Sequence, residues 1–339
     1  MSDVRVGIVG ATGAVGKELL AVLNTSPWRP DTVAAFASRS TKTPYVSYGD
    51  DSIAVDDFDA GAAGSLDLLF LAVPRAAAAD IARIAGEEGV AVVDCSGVLA
   101  DDDAPLVVPW VNPEALQGDE LIDAVSIPSA AASLVASVVA PLIRAGLIAD
   151  IDATVRVPAS HWGRSGVDEL SGQVVALFNS GTPPRKVFES GLAFDLMPQV
   201  GAATASGRTD AEDRVVIELS ELLGLKVAPR VELIGVPVFS GITASLRLGL
   251  TRQTDIALVA RILEDGGVGL SDDARSLPRP RRLEGRPFPQ VGRIRLDGDR
   301  LSLIAGVDNL RGTAAAAVSA AGVLLQRRGI DLSREGRED

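Results

Sequence analysis

The feature that most constrains this 339-residue chain is the stretch Val6-Gly-Ile-Val-Gly10-Ala-Thr-Gly13-Ala-Val-Gly16-Lys-Glu-Leu-Leu20, close to its start. An apolar run from Val4 to Val9, broken only by Arg5, suits a buried parallel strand. Three glycines follow, and then an amphipathic segment with Leu19, Leu20 and Leu23 on one side. Strand, glycine turn and helix in that order build a phosphate-binding turn. Gly10 permits the tight turn, Gly13 keeps a Cβ out of the path of a pyrophosphate, and Gly16 lets the helix pack close to the strand. The anion would rest on the helix N-terminus, where amide N–H groups and the dipole favour negative charge. Glycine alone says little in a chain with 34 of them, so the weight falls on the strand and helix around it. Gly10, Thr12, Gly13, Ala14, Val15 and Gly16 are the candidate contacts. The alternative is an ordinary β–α turn.

The expected second strand, Thr32 to Ala37, helps choose the nucleotide. An NAD-specific turn places an Asp or Glu after this strand to hold the ribose 2′-hydroxyl, whereas this chain reads Ala37-Ser-Arg-Ser-Thr-Lys42. Arg39 offers a planar donor fork, and Ser38 and Ser40 offer hydroxyls, a combination suited to a 2′-phosphate. NADP is therefore expected over NAD, against the alternative of a solvated polar loop. The net charge of −13 argues against nucleic acid or anionic membranes as partners. A single cysteine excludes an internal disulfide, a single histidine argues against a transition-metal site, and no apolar run reaches membrane-spanning length. The first strand begins almost at once, which leaves no room for a signal peptide and points to a cytoplasmic protein.

Along the chain, strands and helices alternate: strand from Asp67 to Val73, helix from Arg75 to Glu88, strand from Val90 to Asp94. That alternation predicts a parallel sheet with right-handed crossovers. The character changes near Asp123 to Pro128. A helix is expected from Ser129 to Ala145, with Leu134, Val135, Val138, Val139, Leu142 and Ile143 on one face. Strands are expected at Ile151 to Val157, Val231 to Val238 and Thr243 to Leu250, and a hairpin from Arg293–Leu296 and Leu301–Val307. Between them lie helical patterns at Arg164 to Ser180, Asp210 to Leu223 and Asp255 to Leu263. Asn309 to Arg328 reads as an Ala- and Val-rich helix. Ala202 to Arg208 and the Arg- and Pro-rich Asp272 to Pro287 read as loose.

Several pieces together resemble the aspartate-semialdehyde dehydrogenase family over almost the whole chain: the glycine turn, Ala37-Ser-Arg-Ser40, Pro105-Leu-Val-Val-Pro-Trp-Val-Asn-Pro-Glu114, Val236-Pro-Val-Phe-Ser-Gly241, Gly292-Arg-Ile-Arg295 and Val307-Asp-Asn-Leu-Arg311. The resemblance implies homodimers or tetramers that use NADPH to reduce β-aspartyl phosphate through a cysteine thioester, with a histidine as acid/base. A thiolate is a good acyl nucleophile and an imidazole carries its proton. It also adds Asn309 to the cofactor contacts. The implied architecture is a Rossmann-like parallel-sheet domain (1–127), a central α+β dimerisation domain of the substrate-binding type (128–307), and a C-terminal helix (308–329) packing back on the first domain.

The departures bear on function. The family's Asn-Pro-Asn-Cys segment matches Ile127-Pro128-Ser129-Ala130 here, so the thiol position is Ala130, and its histidine position is Ile242. Its substrate arginine falls on Gly235 and its glutamine on Val157. The arginine expected to grip the acyl phosphate falls at Ala100, and the Glu-x-x-Lys segment reads Ala211-Glu-Asp-Arg214. Alanine forms no thioester and isoleucine carries no proton. The chain therefore looks more like a degenerate bacterial branch of the family: an NADP-binding homologue without the reaction, acting as a homodimer with an unidentified protein partner. An alternative is an NADP-dependent oxidoreductase with a rebuilt site, transferring hydride directly to another small carbonyl. Cys95, at a strand end where such folds bind ligands, and His161, in a loop beside the family's active site, are the candidates for that chemistry. Cys95 also reads as buried filler, and Ser129 as a helix cap. A third possibility is a structural dimer module whose nucleotide site is vestigial.

Overall fold

The computed structural model describes residues 4–30, 32–38, 43–101, 104–117, 122–271 and 273–332. The chain divides into two units, Met1–Pro128 with Thr313–Asp339, and Ser129–Gly312.

The strands of the first unit are β1 (Arg5–Val9), β2 (Thr32–Phe36), β3 (Tyr45–Tyr48), β4 (Asp51–Asp56), β5 (Leu68–Leu71), β6 (Ala91–Asp94) and β7 (Ala124–Ser126). They form one sheet in the order β3-β4-β2-β1-β5-β6-β7, parallel throughout except for β3 against β4. Helices α1 (Ala14–Thr25), the short α2 (Ala60–Ala63) and α3 (Arg75–Glu87) supply the connections. Strands β5 and β6 are buried at every position, as parallel strands covered on both faces must be. The β3–β4 hairpin was passed over in the sequence, although Val46 and Tyr48 alternate with exposed residues and Gly49 takes a positive φ in the turn.

The second unit is built on α4 (Ala130–Arg144), β8 (Ile148–Val157), α5 (Gly163–Phe178), α6 (Asp210–Leu223), β9 (Arg230–Gly235), β10 (Ile242–Leu250), α7 (Ile256–Asp265), β11 (Gly269–Leu270), α8 (Pro280–Leu283), β12 (Gln290–Asp297) and β13 (Arg300–Val307). Its mixed sheet runs β11-β12-β13-β10-β8-β9. The sequence leads one to expect a one-sided apolar helix at α4. Instead Ala131 through Leu142 are buried with the single exception of Ser133, because α4 is enclosed by the sheet, α6 and α7. The segment expected to be loose contains α8, whose Leu283 is 1 % exposed.

The last helix, α9 (Asn309–Arg327), leaves the second unit at its first turn and continues in the first. Its small residues Ala314, Ala316, Ala317, Ala320 and Ala321 join the core formed by β1, β5 and β6. Arg327 donates to the Leu116 carbonyl (2.6 Å), and Arg328 donates to the Gly89 carbonyl and pairs with Asp123.

Candidate functional site

In the first unit the glycine turn forms at the C-terminal end of β1. The Gly10 and Ala11 amides both donate to the Phe36 carbonyl (2.9 and 3.1 Å), which ties the turn to the end of β2. Gly10 has φ +92°, and a Cβ on it would clash with the Ala72 carbonyl oxygen. A Cβ on Gly16 would strike the Gly10 carbonyl, so this glycine sets how closely α1 approaches the strand. Gly13 differs. Its backbone is extended (φ −73°, ψ 174°), it precedes the first residue of α1, and the nearest atom to an added Cβ is the Gly10 oxygen at 3.1 Å. No side chain caps α1 and no acidic residue sits in its first turn. Thr12, Gly13, Ala14 and Val15 are all half-buried, which leaves the end of the helix accessible to an anion. These are the properties a dinucleotide cradle needs. Ser38 is exposed two residues beyond the Phe36 carbonyl; Arg39 and Ser40 lie outside the described residues.

Cys95 follows β6, its amide bonded to the Leu71 carbonyl (2.9 Å). Burial and the neighbouring Asp94 carboxylate push its thiol pKa far up, so it is a neutral thiol at physiological pH and a poor nucleophile. Asp94 itself, fully buried, accepts from the Ser96 amide and hydroxyl, the Leu99 amide and the Ser126 hydroxyl. It shapes the turn after β6, a role no local sequence signal announces.

In the second unit, Ser129 caps α4, its Oγ accepting from the Ala132 amide (3.3 Å). The same hydroxyl donates to Glu218 Oε2 (2.5 Å), to which the Ser129 amide also donates (3.0 Å). Glu218 Oε1 pairs with Arg214 Nε (2.8 Å), and Glu218 is 2 % exposed. The carboxylate thus sits at the N-terminus of the helix whose first residue is Ala130, the position resemblance assigns to the thiol. Arg214, which resemblance sets at the basic position of the Glu-x-x-Lys segment, pairs with Glu218. Glu212 is spent on structure: it closes a capping box with Thr209 and accepts from the Leu233 amide (3.0 Å). Sequence reading missed Glu218, although it lies in the apolar stripe of Val215, Leu219 and Leu222, where a carboxylate is out of place.

The remaining positions are packed. Ile242 opens β10 at 1 % exposure, and Val157 is equally buried. A Cβ on Gly235 would come within 2.9 Å of Met197 Cε and 3.5 Å of the Trp162 ring, so the room for a longer side chain there is filled. Trp162 stacks edge-on against Phe188 (5.1 Å) and His161 (4.9 Å). His161 lies in the 3₁₀ turn Ala159–Trp162; the residue is exposed overall, but its ring packs against Trp162, and the desolvation this brings lowers its pKa and favours the neutral imidazole at pH 7. Asn309 is buried; its amide donates to Ser160 Oγ (3.0 Å), and its Oδ1 accepts from the Gly241 amide (3.0 Å). The two rebuilt-site candidates belong to different units, Cys95 to the first and His161 to the second.

Residues 5–118 match the family described as semialdehyde dehydrogenase, NAD binding domain, and residues 139–312 match semialdehyde dehydrogenase, dimerisation domain. A USG-1 protein homolog of Azotobacter vinelandii is 30% identical over 334 residues, spanning 96% of this chain and 98% of its own. One from Pseudomonas aeruginosa is 33% identical over 265 residues, spanning 77% and 78%. Among solved structures, aspartate semialdehyde dehydrogenase II of Vibrio cholerae, complexed with ASA, superposes with TM-score 0.90 at 28% identity, covering 96% of this chain and 99% of that one. With both domain types matched in order and relatives aligned nearly end to end, the chain belongs to the semialdehyde dehydrogenase family, and its first unit is an NAD(P)-binding domain of Rossmann type.

Proposed function

We propose that this chain is a non-catalytic member of the family that binds NADP, working in the cytoplasm as a homodimer. The observation that carries the reading is the N-terminus of α4: Ala130 stands where resemblance puts the thiol, and Glu218 occupies the same helix end through Ser129. A carboxylate there opposes a second anion, so an acyl phosphate and an attacking thiolate both lose their place. The cofactor fits the cradle, since a Cβ would fill the turn at Gly10 and Gly16. The proposed contacts are Gly10, Thr12, Gly13, Ala14, Val15 and Gly16 for the pyrophosphate, Ser38, Arg39 and Ser40 for the 2′-phosphate, and Asn309. When bound, NADPH is a hydride donor. What this chain supplies is binding and orientation, with no group at Ala130 or Ile242 to form an acyl bond or carry a proton. The dimer reading draws on the match to a dimerisation domain.

Calorimetric titration with NADPH and NADH, followed by an assay with aspartate semialdehyde, phosphate and NADP, tests this. NADPH binding, tighter than NADH and without turnover, is the expected result. Failure of either nucleotide to bind at near-millimolar concentration removes the cofactor half of the reading. NADPH oxidation with another small carbonyl, lost in His161→Ala, would favour direct hydride transfer, with the proton for the resulting alkoxide coming from the imidazolium form, which the lowered pKa makes the minor form at pH 7.

A further inference from the structure

The chain has 45 Asp and Glu against 32 Lys and Arg, yet one stretch reverses the sign. From Arg275 to Arg295 it holds seven arginines and a single carboxylate, Glu284. Elsewhere in the same unit some arginines find partners, Arg230 and Arg300 at Asp150 (3.0 and 2.8 Å) and Arg208 at Asp213 (2.6 Å), while Arg185, Arg247, Arg252 and Arg261 are exposed singly along the chain; what sets this stretch apart is the density of its arginines. All seven arginines of the stretch are exposed, and none forms an ion pair with a described residue. Asp273, beside them in sequence, accepts from the Arg275 and Ser276 amides and lies within electrostatic reach of Arg282, and Arg286 Nε donates to the Arg282 carbonyl (3.1 Å), so the carboxylate and the guanidinium contacts within the stretch leave most of its positive charge facing solvent.

The fold holds this segment against the sheet. Leu277 lies over Gly292 and Leu283 over Gly306, so close that a Cβ on either glycine would come within 2.6 and 2.7 Å of the leucine methyl carbons. Pro280 backs onto Gly241, its Cα 2.8 Å from where a Cβ would stand. With the leucines pinned inward, Arg281 and Arg282 of α8 and the flanking Arg279 and Arg286 stay in solvent. Arg293 joins them at the bulge of β12, where φ is +55° and the register with β13 shifts between Gly292 and Arg295.

We propose that this surface is a docking site for an acidic segment of a partner protein. Guanidinium forks pair bidentately with carboxylates, and a backbone already fixed by the packing of Leu277, Pro280 and Leu283 leaves only the arginine side chains to be ordered on binding. A nucleic acid is disfavoured by the same surroundings. A long polyanion would run off the patch onto a chain of net charge −13. A short acidic segment is confined to the patch. The proposal uses no cofactor and stands independently of the non-catalytic reading.

The test is fluorescence anisotropy of the full-length protein with a labelled peptide of alternating glutamate and glycine at physiological salt. The wild type is expected to bind, and Arg281→Glu/Arg282→Glu to weaken binding by about tenfold or more. Arg252→Glu/Arg261→Glu, which changes net charge equally at exposed arginines elsewhere in the unit, is expected to leave affinity within about twofold. Equal loss in the two double variants, no binding by the wild type, or tighter binding of a single-stranded DNA of similar charge would each overturn the proposal. So would an altered oligomeric state in Arg281→Glu/Arg282→Glu with peptide affinity unchanged, which would make the occupant a second copy of this chain.

Discussion

At Gly10 the backbone carries φ +92° and a Cβ would collide with the Ala72 carbonyl, whereas at Gly13 the backbone is extended and an added Cβ meets only the Gly10 oxygen at 3.1 Å. Alanine at the two sites should therefore separate folding from binding. Gly10→Ala is expected to lower stability by about 1–3 kcal/mol from backbone strain alone. Gly13→Ala should cost under about 1 kcal/mol and yet, on the proposed reading, weaken NADPH binding, because its methyl group would stand where that reading brings the phosphates in. Urea unfolding and calorimetry on both variants check this, and a Gly13→Ala protein that binds NADPH as well as wild type would take the phosphate away from this turn. Glu218 poses the opposite case, a charge buried for structure. Glu218→Ala removes the acceptor of Arg214 Nε and of the Ser129 amide, and is expected to cost about 2–3 kcal/mol, less than a fully buried pair because Arg214 retains contact with solvent. A loss below about 0.5 kcal/mol would show that the network does not hold α4 to α6.

Glu169 of α5 works at the scale of the element. Its two oxygens accept from the Lys186, Val187 and Phe188 amides at 2.8 Å each, and Gln173, one turn on, accepts from Leu192 and Ala193. Two side chains of one helix thus organise a segment that has no regular structure of its own. Burial pushes the Glu169 pKa up, but the three backbone donors and Gln173 outweigh it and hold the carboxyl below its ordinary value of 4.5. A folded pKa below the unfolded one means that its contribution is complete above pH 4.5 and is lost as pH falls through the lower folded value. Amide exchange at residues 186–188, measured from neutral pH downward and corrected for intrinsic rates, should therefore be steady above pH 4.5 and accelerate as pH falls below it; in Glu169→Gln the acid step should be absent. An acid step retained in Glu169→Gln would assign the opening to another group. The same contrast explains what could be read in the chain beforehand. Helix α6 was legible to its ends because Thr209, Glu212 and the left-handed Gly224 are local stop and start signals. The glycine turn was legible for the same reason. The Ser129–Glu218 bond spans 89 residues, and the seat of α8 on Gly241 and Gly306 depends on how strands pair, so neither leaves a local pattern. In both places tertiary packing decided against what the local composition suggested.

For the molecule as a whole, the positions that resemblance assigns to the family's reacting groups are each built into packing, and on the proposed reading their changes are coupled rather than independent. Ala130 begins a helix whose N-terminus is engaged by Glu218; Ile242 and Val157 are each 1 % exposed; and the room at Gly235 is filled by Met197 and Trp162, themselves packed with Phe188 in one apolar cluster. Groups that act together in catalysis are strongly non-additive, so returning one of them recovers little when its partners are missing. Ala130→Cys should accordingly fold, since one sulfur at a half-buried helix start is a small change. Its thiol should react with iodoacetamide faster than Cys95, whose burial keeps it protonated. Turnover of aspartate semialdehyde with NADP and phosphate should nonetheless stay within about tenfold of the wild-type background on the proposed reading, in which Ile242 and Gly235 stand where resemblance puts the proton-carrying imidazole and the cation for the substrate carboxylate. Labelling by iodoacetamide confirms that the thiol is present and accessible before the rate is read. A rate several orders of magnitude above background would mean that this unit still supplies proton transfer and substrate orientation through other side chains, with His161 the first to replace, and the chain would then be an enzyme one residue short of its reaction rather than a binding protein on the same fold.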